Sequence, residues 1–221
     1  KGVKGLDKDN FIELHFLKDF LPGYFWIFPL PNGMANVGVG MRSDKVAKRK
    51  VNLKLQMAEI IEKYPELRDR FADAEMVGGI KGYGLPLGSK KRKISGDGYL
   101  LIGDAASLID PFTGEGIGNA LYSGYFAALQ AERDLVNKDF SAAGHLQYDK
   151  EVYTRLWSEL KLSHRMQRMV NYPWLFNLVV NKAQRNKVLR ETISCMFEDL
   201  DMRERLRNPM FYFKLLFANE R

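Results

Sequence analysis

The segment from Gly98 to Ala131 constrains this chain more than any other. It opens with the apolar run Tyr99-Leu-Leu-Ile102, passes through Gly103-Asp104 and two alanines, and reaches Asp110-Pro111. Gly114, Gly116 and Gly118 then surround the start of a long stretch with helical periodicity, roughly Gly116 to Asn137. The short continuous run reads as a strand buried on both faces. A strand that feeds a helix through a glycine-rich turn is the ligand-binding edge of an open α/β sheet. Asp104 stands at that edge and accepts hydrogen bonds only, which suits a sugar-like hydroxyl on a ligand. Ala105 and Ala106 are small enough to let a ligand close in. The glycines expose backbone N–H groups where the helix dipole is positive, so an electron-rich ring edge is favoured there.

Composition excludes several classes. The 221 residues are 46% hydrophobic and 28% charged, which fits a globular chain and not a disordered or fibrous one. No apolar run approaches the ~18–20 residues needed to span a bilayer. The single cysteine, Cys195, excludes an internal disulfide framework and reads as a small apolar helix residue. His15, His145 and His164 have no metal-ligand spacing, so no metal is expected. The formal net charge is +7, and from Thr154 onward 13 Lys and Arg face 7 Asp and Glu. That third also carries Trp157, Tyr172, Trp174, Phe176, Phe197, Phe211, Tyr212, Phe213 and Phe217, mixed with aliphatic residues. The mixture suits helix packing or an anionic membrane surface better than base stacking, and no nucleic-acid motif is present. Lys90 to Lys93 reads as a solvated basic loop. The chain starts at Lys1 without a signal peptide, and the expected location is cytoplasmic, peripheral to a membrane.

The first forty residues read as β structure. Phe11 to Phe16 alternates, with His15 expected to face solvent or a groove; Tyr24 to Leu30 is aromatic-rich; Pro31-Asn32-Gly33 turns; Met34 to Met41 returns. Gly38 and Gly40 should leave one strand face bare for close approach. Ser43 or Asp44 is expected to cap a helix that runs to Tyr64, where Pro65 ends it, and a short helix should follow near Glu66 to Ala74. Met76 to Leu87 looks extended, Gly96-Asp97-Gly98 turns, and from Phe140 the pattern is helical, with breaks at Pro173 and Pro209. Tyr24, Trp26 and Phe28 alternate, so all three share one sheet face and form an apolar wall.

Residues 98 to 131 resemble the second FAD-binding motif of the p-hydroxybenzoate-hydroxylase-like flavoproteins. The resemblance implies that Gly103, Asp104 and Ala105 lie at the flavin, with Asp104 on the ribityl chain. It implies that the main chain of Gly116, Ile117 and Gly118 meets the pyrimidine edge, with Asn119 close by, and that Pro111 and Gly114 border the flavin face. A second motif, Tyr24-Phe-Trp26-Ile-Phe28-Pro29, eight residues and Gly38-Val-Gly40, is similar to the Y-x-W-x-F-P-x8-G-x-G pattern of geranylgeranyl reductases. That family implies an FAD-dependent reductase of isoprenoid C=C bonds on a lipid or related molecule, with Tyr24, Trp26 and Phe28 against the substrate. NAD(P)H or ferredoxin would supply the electrons. No catalytic residue is identified.

The implied fold is α/β, α+β within this chain: an antiparallel substrate sheet with inserted helices over 1–95, the Gly-Asp strand and helix over 96–140, and C-terminal helices over 141–221. Such a flavoprotein also needs a G-x-G-x-x-G unit near its N-terminus, and none opens this chain. The chain therefore reads as the later part of a longer flavoenzyme, with half a flavin site, weak or absent FAD binding and no turnover by itself. Two other functions compete: a flavin monooxygenase or halogenase of the same fold, and a basic lipid- or protein-binding module without catalysis. Halogenases carry a Trp-x-Trp-type motif whose first position is Tyr24 here.

Overall fold

A computed structural model describes residues 1–6, 11–169 and 172–186. It contains two compact units, one over Lys1–Gly84 and one beginning at Leu85.

The first unit is built on a three-stranded antiparallel sheet, β1 (Glu13–His15), β2 (Tyr24–Leu30) and β3 (Met34–Gly40), in that spatial order. The hairpin joining β2 and β3 pairs Leu30 with Met34, and its loop places Asn32 and Gly33 in left-handed backbone, the conformations these residue types tolerate best. Phe25 and Ile27 project from one face and are fully buried against Val3, Leu6, Phe20, Ile60 and Leu67. Burial of each such side chain contributes about 1.5–3 kcal/mol. His15 pairs with Phe25 in register and lies edge-on to its ring at 5.8 Å, half-buried at the rim of the core, with Nε2 3.1 Å from Glu13 Oε2 on its partly exposed side.

The single helix expected from Ser43 to Tyr64 is two, α1 (Ser43–Arg49) and α2 (Leu53–Lys63). Lys50 turns left-handed (φ 53°) and ends α1, and Asn52 starts α2 by accepting from the N–H groups of Lys54 and Leu55 at 3.1 and 3.3 Å. An asparagine inside a periodic stretch offers the backbone that alternative to continuing the helix. Asp44 bonds Arg42 instead of capping. Pro65 opens α3 (Pro65–Phe71), where its missing N–H costs nothing.

Arg70 of α3 ties the sheet edge to the helices. It donates to both carboxylate oxygens of Glu13 at 2.6 and 2.7 Å and to the Lys4 carbonyl at 2.9 Å. The guanidinium holds the Glu13 carboxyl below the ordinary glutamate range, against the opposing effect of burial. A depressed carboxyl contributes stability above its ordinary value, and that contribution disappears as pH falls through the folded value. Glu13→Gln is expected to cost about 1 kcal/mol at neutral pH. It should also flatten the loss of stability that the parent shows below about pH 4. Chemical denaturation at pH 7 and at pH 3.5 checks both; equal acid sensitivity in the two proteins would contradict the assignment.

The second unit begins with a hairpin, β4 (Ser95–Gly96) and β5 (Tyr99–Leu100), followed by a 3-10 turn at Gly103–Ala106. Tyr99 and Ile102 are exposed, so the run expected to be buried on both faces is not; its only strand partner among the described residues is β4. Three helices follow: α4 (Ile117–Asn137), α5 (Leu146–Met169) and α6 (Pro173–Arg185). The core that α4 and α5 build with the preceding segments holds Ile94, Leu108, Tyr148, Val152, Leu156 and Leu160, with Tyr122, Phe126 and Trp157 packed around it. Tyr148 donates to the Leu101 carbonyl at 2.5 Å, and the Tyr153 hydroxyl bonds both the N–H and the carbonyl of Arg92 at 2.8 Å. The loop at Lys90–Lys93 is therefore not wholly solvated: the Lys91 ammonium lies 5.3 and 5.4 Å from the ring centres of Tyr153 and Trp157.

A buried polar clamp joins the hairpin to both long helices. His145 Nδ1 lies 2.7 Å from the Gly96 carbonyl and Nε2 lies 2.9 Å from Asp134 Oδ2. Gln130 donates to the other Asp134 oxygen at 2.7 Å. Both ring nitrogens are thereby engaged, one by a main-chain oxygen and the other by a carboxylate.

Among the described residues, no helix is long and apolar enough to cross a membrane, and no group of three His, Cys, Asp or Glu could hold a metal. Cys195, the aromatics from Phe197 onward and most of the basic C-terminal third lie outside the described residues.

Candidate functional site

Two groups of the expected residues form, one in each unit. In the second unit, Gly103 has φ 51°, and a Cβ there would meet the Ala120 Cβ at 2.9 Å. Only glycine lets the turn press this closely on α4. The Gly103 N–H donates to Ser123 Oγ at 3.0 Å, and the same hydroxyl donates back to the α4 backbone at Asn119 (2.8 Å) or Ala120 (3.1 Å). Asn119 is buried and its amide donates to the Leu108 carbonyl at 2.7 Å, so its side chain fastens the loop to the helix. Asp104 and Ala105, next along the turn, are exposed.

The turn carries Asp104 to the mouth of α4. A Cβ at position 116, the residue before the first turn of that helix, would sit 3.4 Å from Asp104 Oδ1 and 3.2 Å from Ile109 Cγ1. The intervening loop is rigidly held. Asp110 is buried, and its Oδ1 accepts from the N–H groups of Phe112 and Thr113, both at 2.9 Å. The buried Pro111 offers its carbonyl to Gln167 of α5 at 2.6 Å, and Gly114 turns with φ 76°. The Glu115 carboxylate accepts from the Gly118 N–H at 2.7 Å and so caps α4 from outside. Ile117 is exposed beside it. A carboxylate and a glycine mouth without a Cβ at a helix start fit the sugar hydroxyls and ring edge of a flavin.

In the first unit, Tyr24, Trp26 and Phe28 do share one face, half-buried, opposite the packed face of the sheet. Their rings step along it at 5.9 and 6.1 Å, and Phe16 extends the row to Tyr24 at 6.0 Å. Gly38 is not bare: a Cβ there would lie 2.2 Å from Trp26 Cζ2, because the indole lies across that strand. Trp26 Nε1 donates to Asn36 Oδ1 at 2.8 Å, which fixes the ring in this pose. Burial pushes the Tyr24 phenol up. Neither Asn36 nor Phe16 belongs to the motif pattern, although Asn36 lies two residues from Gly38 on the same strand. Ser123 and Gln167 were equally silent in the sequence, as ordinary polar residues on long helices.

The combination of an antiparallel sheet with an aromatic face and a Gly-Asp turn onto a glycine-flanked helix is that of an FAD-binding α/β flavoprotein fold. The chain aligns with the crystal structure of a geranylgeranyl bacteriochlorophyll reductase-like protein from Thermoplasma acidophilum at TM-score 0.63 and 29% identity, over 78% of this chain and 43% of that one. Residues 3–80 match the family model of the geranylgeranyl reductase catalytic domain. A digeranylgeranylglycerophospholipid reductase of Thermoplasma volcanium is 38% identical over 151 residues, 68% of this chain and 37% of the relative. A menaquinone reductase of Mycobacterium tuberculosis is 40% identical over 117 residues, 52% of this chain and 28% of the relative. The chain belongs to the geranylgeranyl reductase family, and it spans well under half the length of these curated relatives. The family and its fold imply FAD as the cofactor.

Proposed function

We propose that the whole protein is an FAD-dependent reductase of isoprenoid double bonds carried on a lipid. The observation that supports this most is the Asp104 carboxylate beside Gly116 at the start of α4, in a chain whose relatives are named as reductases of prenylated lipids and quinones. Bound and reduced by two electrons, the FAD would supply a hydride to an isolated C=C and return to its oxidised form, with a proton completing the saturation. The chain's own part would be to receive ribityl hydroxyls at Asp104, to present the Gly116 and Ile117 main chain to the ring edge beside the Gly118 N–H that Glu115 already holds, and to keep Ala105, Pro111 and Gly114 low around the flavin. Tyr24, Trp26 and Phe28 offer an apolar face on which a branched polyprenyl chain rests without leaving a polar group unpaired. NAD(P)H or ferredoxin refills the flavin, and the basic C-terminal third seats the enzyme on an anionic membrane. The 221 residues alone carry one side of the flavin site and are expected to bind FAD weakly.

The test uses the whole protein. Asp104→Asn keeps the shape and removes the charge, and FAD affinity is expected to fall about 10–100-fold in a flavin-fluorescence titration. Incubation of the reduced protein with a geranylgeranylated glycerophospholipid should add two hydrogens per double bond by mass spectrometry. Full FAD affinity in the variant, or unchanged lipid mass with the parent, would defeat the reading.

A further inference from the structure

Two carboxylates crowd the start of α4, and the proposed flavin contact accounts for only one of them. Asp104 stands beside Gly116. Glu115 holds the N–H of Gly118, one of the groups expected to face the ring edge, at 2.7 Å. Glu115 is also fixed through its own backbone. Its N–H donates to Thr113 Oγ1 at 3.1 Å, and its carbonyl accepts from the Asp110 N–H at 2.7 Å. Its carboxylate oxygens lie 3.5 and 3.9 Å from the place a Gly118 Cβ would take, so the charge sits directly on the first turn.

A bare helix start carries about half a positive charge and stabilises a flavin that gains negative charge on reduction. A carboxylate bonded to that same turn cancels the field and replaces it with a negative one at close range. We infer that Glu115 sets the redox potential of the flavin, holding it low by opposing the charge that accumulates at the pyrimidine edge on reduction. The inference rests on the flavin reading and gives it a purpose. An isolated C=C has no carbonyl to take up the charge that hydride addition develops, so the barrier to transfer is high and a stronger hydride donor lowers it. Glu115 acts through its field and touches neither the reacting carbon nor the hydride.

The experiment is a redox titration of the FAD-loaded whole protein by the xanthine–dye method, comparing the parent, Glu115→Gln and Glu115→Ala. The Gln carbonyl still accepts from the Gly118 N–H, so Glu115→Gln removes charge and keeps the cap. It is expected to favour reduced over oxidised flavin about tenfold more than the parent does, a rise of about 30 mV for a two-electron couple. Glu115→Ala should rise at least as far. An unchanged or lower potential in Glu115→Gln overturns the inference, as does a rise confined to Glu115→Ala, which would assign the effect to the lost cap. A parent that retains no FAD fails earlier, at the flavin reading itself, and is told apart by its lack of bound flavin before any titration begins.

Discussion

His145→Ala is expected to unfold the second unit at denaturant concentrations where the parent remains native. The ring bonds the Gly96 carbonyl on one side and Asp134 on the other, at 2.7 and 2.9 Å, in a place almost closed to solvent. Removing it strands the Asp134 carboxylate with Gln130 as its remaining side-chain donor and leaves the Gly96 carbonyl without that bond. Breaking a buried pair by deleting one partner costs about 3–5 kcal/mol, a large part of a domain's total stability. The clamp fastens the hairpin that leads into the Gly103 turn, so the damage should spread to the proposed flavin site. Urea unfolding followed by circular dichroism measures the cost. The double variant His145→Leu with Asp134→Leu is expected to recover much of it, because two apolar groups leave no buried charge. A loss under 1 kcal/mol in His145→Ala would mean that the pair adds little.

Gly38→Ala is expected to dislodge Trp26. The new methyl would coincide with the indole at 2.2 Å, and the side chain has to swing away, breaking its bond to Asn36 and interrupting the row from Tyr24 to Phe28. Overpacking of this kind costs about 1–3 kcal/mol. The functional loss should exceed the structural one, since the displaced indole leaves a gap in the face proposed for the prenyl chain. A red shift in tryptophan emission and a raised KM for the lipid are the expected signals. Trp26→Ala on the Gly38→Ala background should restore stability without restoring KM. An unchanged emission spectrum would show that the strand shifts and the ring stays.

How much of this was legible from the residues differs by element. The β2–β3 hairpin was readable because Pro31-Asn32-Gly33 and the flanking alternation each specify it locally. Helix α4 was readable from its periodicity and its glycines. The break at Lys50 was missed because the apolar spacing continues across it, and only the capping chemistry of Asn52 marks it. The glycines of the G-x-G pattern were recognised as places of close approach, but what approaches Gly38 is an indole from the next strand, a contact between residues twelve apart that no local pattern encodes. The clamp at His145 was invisible for the same reason. Its partners come from a hairpin and a helix end brought together by packing, and a lone histidine in a sequence announces neither. Asp104 and the glycines were legible as a motif, whereas the side chains that hold them, Ser123, Asn119 and Gln167, were not.

That last division has a consequence for substitution. The fasteners sit on helices α4 and α5, while the groups proposed to meet a ligand are main-chain atoms and side chains of the turn and loop between Gly103 and Gly118. Because one Ser123 hydroxyl serves both the turn and the helix backbone, a residue without that hydroxyl would release both at once. Loop residues carry structural duties of their own: Asp110 accepts from the N–H groups of Phe112 and Thr113, and Glu115 from that of Gly118. A change such as Glu115→Gln, which keeps an accepting oxygen for the Gly118 N–H, would alter the charge at this edge while leaving the fasteners on the helices in place.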